Sequence, residues 1–122
     1  MTSATACRKS ADHATRHFRH QRITALVLIP LSVWMLVFLN KALNASYTDT
    51  IDWLVSPINA AAVILWIISV FYHAAIGVQV VLEDYVSTIP SRTAAIVASK
   101  LVFAVLGVVA LAVTIFILYA QG

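Results

Sequence analysis

The sequence predicts an all-α integral membrane protein whose three transmembrane helices form part of a heteromeric helix bundle. Three observations lead there. Hydrophobic residues make up 61% of the 122 and charged residues only 11%, outside the range of a soluble domain. Three long apolar runs, separated by short polar stretches, account for most of the chain. The basic residues Arg8, Lys9, Arg16, Arg19 and Arg22 all precede the first run. Under the positive-inside rule that crowding is a topology signal rather than a nucleic-acid surface, and it puts the N-terminus on the cytoplasmic or matrix side.

Residues 1–22 form a basic inner-side segment, polar and rich in Ser, Thr and His. Its composition resembles a mitochondrial presequence, but it runs into apolar sequence without a linker, which favours an ordinary lead-in to a membrane helix. The apolar run that follows is too long for a secretory signal core, and no clear cleavage site follows it. Cys7 has no intrachain partner, so there is no disulfide framework.

The membrane anchor occupies residues 23–120, with helices expected at about 23–43, 57–84 and 93–120. Ile23–Leu39 is uncharged and closes on Asn40-Lys41, where the lysine can snorkel. Pro30 lies inside this run and should kink the helix or leave a carbonyl free. Residues 44–56 read as a polar outer loop, with Tyr47 and Trp53 as interfacial anchors. Ser56-Pro57 supplies the N-cap and first position of the second helix, which is uncharged as far as Leu82 and ends in Glu83-Asp84-Tyr85. Ile89-Pro90-Ser91-Arg92 reads as a turn, and Lys100 in the third helix as a snorkelling anchor at the inner headgroups. Three crossings put Gln121-Gly122 outside. No repeat or low-complexity segment is present.

The chemistry is concentrated in the second helix. His73 is an ionisable residue inside a membrane-length run, which makes it a functional-site candidate. At 1.5 Å and 100° per residue, Asp84 lies about 20° from it around the helix and roughly 16 Å along it. Gly77 follows one turn after His73 on the same stripe, and with Ala74 leaves a shallow place for close approach.

Three chemistries suit such a histidine: a metal or haem ligand, a proton relay, and a hydrogen bond between helices. A relay wants further ionisable groups, and none lies between His73 and Glu83; a helix-to-helix hydrogen bond does not require small neighbours. A haem wants an imidazole nitrogen, an apolar slot and room for the ring edge. Since only one histidine lies in the membrane, a second axial ligand would come from another polypeptide. His13, His17 and His20 are in the leader, where they are solvated or contact propionates or a soluble partner. Asp84 and Tyr85 put a carboxylate and a phenol where the helix meets water, the pair that reduction of a lipid quinone requires; interfacial Tyr and Asp also occur without such a role.

His73-Ala-Ala-Ile-Gly77 followed by Asp84-Tyr85 resembles the H-x-x-x-G-x-x-x-x-x-x-D-Y signature of the small cytochrome b membrane-anchor subunits, usually called D, of succinate dehydrogenase, respiratory complex II. Arg22-Ile-Thr-Ala25 resembles the R-x-T-A element opening their first helix. Chain length, three helices and an inner N-terminus agree over nearly the whole sequence. The resemblance implies that His73 is the axial ligand to haem b iron, with the other axial histidine coming from a companion cytochrome b anchor. It implies that Arg22 lies near the haem propionates and Gly77 against the haem, that Tyr85 hydrogen-bonds ubiquinone, and that Asp84 belongs to the same site region. His17 corresponds loosely to a leader histidine of that family. The partners implied are the succinate-oxidising flavoprotein, the iron–sulfur protein, the companion anchor and membrane lipid, with no nucleic acid. The location implied is a bacterial inner (plasma) membrane or, as a second reading, the mitochondrial inner membrane. The chain holds no flavin or cluster motif, so it would serve the enzyme as a non-flavin subunit without oxidising succinate itself. The competing reading is a haem-free scaffold or small transporter component in which His73 and Asp84 bind substrate or protons.

Overall fold

A computed structural model describes residues 2–121 as four helices: α1 Thr2–Asn44, α2 Tyr47–Val55, α3 Pro57–Tyr85 and α4 Ile89–Gln121. Met1 and Gly122, the outer limits of the two expected terminal segments, lie outside the described residues. The three long helices are each long and apolar enough to cross a membrane.

The first helix is much longer than its apolar run. It continues without interruption through the basic leader, across the boundary that composition places at residue 22. The leader contains no Pro or Gly and is built largely of Ala, Arg, Lys and His, so nothing in it stops a helix that the apolar part has already nucleated. Ser10 and Thr15 turn their hydroxyls back to the carbonyls of Cys7 and Ala11, each at 2.8 Å, instead of capping the helix. With 43 residues, α1 is roughly 64 Å long, about twice the thickness of the hydrocarbon layer. Its N-terminal end therefore extends beyond the hydrocarbon layer.

The second departure is α2, in the stretch that reads as a loop. Ser46 caps it, accepting from the Asp49 N–H at 3.1 Å. The helix turns Leu54 into the core and stacks Trp53 on Phe38, with ring centroids 5.5 Å apart and 25° between planes. Trp53 thus packs inside the bundle end and is not a simple interfacial anchor, whereas Tyr47 is exposed. Asn59 Nδ2 donates to the Trp53 carbonyl at 2.8 Å and Asn59 Oδ1 accepts from Trp34 Nε1 at 3.0 Å, tying α1, α2 and α3 together.

Ser56 and Pro57 start α3 as expected. At its other end the turn is shorter than predicted: Ile89-Pro90-Ser91-Arg92 is the first turn of α4, because a proline at the start of a helix forfeits no hydrogen bond. Arg92 folds back over the intervening residues, its Nε donating to the Val86 carbonyl at 2.8 Å.

The middle helix of the bundle is α3, packed on one side against α1 and on the other against α4, while α1 and α4 do not pack on each other. The core lies toward the α2 end, where Leu54, Val63 and Ile67 are buried among Met35, Phe38, Trp66 and Leu118. It is small, and most large apolar side chains of α1 and α4 face outward. That is the surface of a chain whose remaining neighbours are lipid or other helices.

Candidate functional site

The seam between α1 and α3 carries a ladder of polar and small residues in antiparallel register. Ser32 meets Trp66, whose Nε1 donates to the serine hydroxyl at 3.3 Å; Thr24 meets His73; Gln21 meets Gly77. Each step of about a turn up α1 is matched by a turn down α3, so a half-buried histidine in the middle of α3 faces a fixed partner on α1.

That partner defines the imidazole. Thr24 Oγ1 lies 3.0 Å from His73 Nδ1, and 2.9 and 3.1 Å from the carbonyl oxygens of His20 and Gln21. A hydroxyl has one proton, and two backbone carbonyls, which can only accept, compete for it. The oxygen's lone pairs are then left to accept, and His73 donates Nδ1–H to them. With Nδ1 committed in this way, Nε2 is the nitrogen open to a ligand, and the ring is held in orientation through Nδ1, as outer hydrogen bonds hold metal-ligating histidines.

Gly77 permits a close approach, as the sequence suggests, but Gln21 occupies it. A Cβ on Gly77 would lie 3.3 Å from Gln21 Nε2. The amide oxygen of Gln21 is buried without a hydrogen-bond partner among the described residues, an acceptor left open beside the histidine's helix.

The other predicted site residues are not drawn into this cluster. Arg22 is exposed at the surface of α1, its guanidinium 5.5 Å from the centroid of the Phe18 ring, with no carboxylate pairing it among the described residues. Asp84 and Tyr85 stand at the end of α3, the tyrosine 85% exposed, and neither makes a side-chain hydrogen bond among the described residues. Among the described residues no three of His, Cys, Asp and Glu come together as a metal-binding group. A single ring nitrogen with a lone pair, an unpaired cation and an exposed phenol–carboxylate end are what this chain presents.

What escapes a reading of the sequence, which meets Thr24 only within the R-x-T-A element, is the pairing of two α1 residues with α3. Gln21 and Thr24, three apart, share a face of α1 just as His73 and Gly77, four apart, share one of α3, and that matching of spacings is the available signal. His20 and Tyr72 form a second inter-helix contact, Nδ1 to hydroxyl at 2.9 Å, on the neighbouring side of α3.

Comparison with known proteins bears on what such a chain does. A family model described as the succinate dehydrogenase/fumarate reductase transmembrane subunit matches residues 5–116. The chain is 39% identical over 107 residues to the succinate dehydrogenase hydrophobic membrane anchor subunit of Rickettsia bellii, covering 88% of this chain and 85% of that one. To the proteins of the same description in Rickettsia conorii and Rickettsia felis it is 32% and 31% identical over 108 residues, covering 88% of this chain and 85% and 89% of theirs.

Proposed function

The chain belongs to the succinate dehydrogenase/fumarate reductase transmembrane subunit family as a membrane anchor, and from that premise we propose that it supplies one axial ligand, His73, to a haem b shared with a companion anchor. The observation that supports this most directly is the Thr24–His73 hydrogen bond. It engages Nδ1 and leaves Nε2 as the nitrogen with a lone pair, which is the donor atom an iron porphyrin takes from a histidine.

The residues around it fit such a group. His73 is half-buried in the α1/α3 seam, and Arg22, uncommitted to any carboxylate among the described residues, is a cation suited to a propionate. Since α3 carries no second histidine, a second histidine ligand would come from another polypeptide, and the outward apolar faces of α1 and α4 suit helices of that partner. When bound, haem b supplies one-electron redox chemistry; this chain's part is to orient the ligand, set its basicity through Thr24, and keep water from that side.

The end of α3 has a separate task in this reading. Tyr85 donates its hydroxyl to a carbonyl of ubiquinone, and Asp84 beside it is a carboxylate that can pass protons as the quinone is reduced. Their exposure is what a site completed by other chains, the iron–sulfur protein among them, requires. Succinate oxidation belongs to the flavoprotein, and this chain holds both hydrophilic partners at a bacterial inner membrane with its N-terminus in the cytoplasm.

The deciding experiment is the reduced-minus-oxidised absorption spectrum of the complex co-expressed with its companion anchor. A low-spin bis-imidazole spectrum lost or displaced in His73→Ala supports the assignment; full haem content with an unchanged spectrum in that variant overturns it.

A further inference from the structure

On the side of α3 away from the Thr24 seam, an open crevice of about 630 Å³ runs between α1 and α4. Its α3 wall is Tyr72, Ala75, Ile76 and Gln79, and Ala75 lies about 160° around the helix from His73. None of His73, Arg22, Asp84 and Tyr85 lines it, so it is a different place from the site already described.

Its two ends differ in chemistry. The end nearest the start of α1 is lined by His13, Arg16, His17 and Lys100, with the His13 and His17 rings 4.5 Å apart. No Asp or Glu lines the crevice, and no carboxylate pairs Arg16 or Lys100 among the described residues. Glu83 is held away from it, accepting from Gln79 Nε2 at 2.7 Å while lining the groove on the Gly77 side. The other end is apolar, walled by Ile68, Phe71, Phe103, Val108 and Leu111. From Lys100 to Leu111 the crevice follows α4 for roughly 16 Å, from the expected inner headgroup zone toward the bilayer centre. Gly107 lets the Phe71 ring lie close against α4, where a Cβ would already be at 3.4 Å, and this keeps the trough smooth.

We propose that this crevice binds an anionic phospholipid of the inner leaflet, its phosphate held by Arg16 and Lys100 with the leader histidines beside them and an acyl chain lying along Phe103 and Val108. Charge complementarity commits the occupant. A partner helix would fill the apolar trough but would leave two cations unneutralised at its mouth, whereas a lipid phosphate pairs both at the depth where headgroups already lie. Lys100 is then a ligand to a particular lipid and not only a snorkelling anchor. The inference rests on the membrane orientation proposed above and not on haem ligation.

The test takes the tagged chain, purified with the polypeptides that accompany it, in nanodiscs of equimolar phosphatidylglycerol and phosphatidylcholine, and measures the lipid retained through detergent washing by mass spectrometry. Preferential retention of phosphatidylglycerol is expected, reduced about fivefold for each cation removed in Arg16→Gln and Lys100→Gln and restored in Arg16→Lys and Lys100→Arg. Equal retention of both lipids, or an undiminished preference in the Arg16→Gln, Lys100→Gln double variant, overturns the proposal. A photo-crosslinking residue at Ala104 gives an adduct of phospholipid mass if the proposal holds, and an adduct to a polypeptide overturns it in favour of a partner helix. The haem spectrum of the same samples reads the His73 assignment separately, so either idea can fail while the other stands.

Discussion

Thr24 and His73, 49 residues apart, are joined across the α1/α3 seam by a 3.0 Å hydrogen bond in which the imidazole donates Nδ1–H and Nε2 is left with its lone pair. A helix-to-helix hydrogen bond and a metal ligand are usually rival explanations of a membrane histidine. In the proposed function one nitrogen serves each purpose, and the first prepares the second.

Thr24→Val removes the acceptor while keeping the shape of the side chain. The imidazole can then rotate and change tautomer, and haem affinity of the complex is expected to fall by about 10- to 100-fold, the usual effect of deleting an outer hydrogen-bond partner of a ligand. Thr24→Ser should restore it. Haem titration into the apo-complex, followed by absorbance, measures both. Unchanged affinity in Thr24→Val would mean that the hydrogen bond only joins the helices.

Gly77 separates two explanations of its own smallness. If it exists to admit Gln21, a methyl group at 3.3 Å from the flexible amide end displaces only that end. Gly77→Ala should then cost less than about 1 kcal/mol of assembly stability and leave haem content intact. Gly77→Leu should cost about 1–3 kcal/mol by forcing α1 from α3, with part recovered in the Gly77→Leu, Gln21→Ala pair. Thermal denaturation of the complex with haem quantification decides. Loss of haem in Gly77→Ala with unchanged stability would place the ring edge, not Gln21, against the glycine.

Tyr85 is 85% exposed and makes no side-chain hydrogen bond among the described residues, so removing its hydroxyl removes nothing that holds the fold. Tyr85→Phe is expected to change stability by no more than about 0.5 kcal/mol. Quinone reduction should fall by about 100-fold or more, the range lost when one positioned proton donor is deleted. Succinate oxidation by artificial acceptors should be retained, because the proposed function assigns that chemistry to other chains of the complex. Paired assays on one preparation provide the comparison, and full quinone reductase activity would remove Tyr85 from the site.

The three spans are legible in the sequence for a physical reason: an uncharged run long enough to cross hydrocarbon has few other uses, and Ser56-Pro57 marks a helix start whatever surrounds it. Sequence is silent where the signal is not hydrophobicity. The leader's helicity follows from an absence of breakers, which composition does not advertise, and α2 is nine residues of mixed Thr, Asp and Trp that read equally well as a polar loop. His73, Gly77, Asp84 and Tyr85 stand out by spacing within one helix. Their partners on α1 do not, and Thr24 enters only through the R-x-T-A element, because pairing residues across two helices needs a register that only the packed seam defines.

The far end of the same seam has its own dependence on register. Asn59 uses both ends of its amide, donating to the Trp53 carbonyl at 2.8 Å and accepting from the Trp34 indole at 3.0 Å. Asn59→Leu keeps the volume but strands a carbonyl of α2 and an indole N–H of α1. Each inter-helix hydrogen bond in a membrane contributes about 0.6 kcal/mol on average, so the two together put the expected loss near 1–2 kcal/mol. The loss should be local. With Asn59 uncoupled, the Trp53–Phe38 stack loosens, and Trp53 fluorescence should shift to longer wavelength while the haem spectrum, which the proposal ties to the Thr24–His73 pair roughly three turns along α1 and four along α3, stays unchanged. A variant that alters the haem spectrum without moving the tryptophan emission would show that α1 and α3 slide as one rigid register, and that the Asn59 contacts set the position of His73 from a distance.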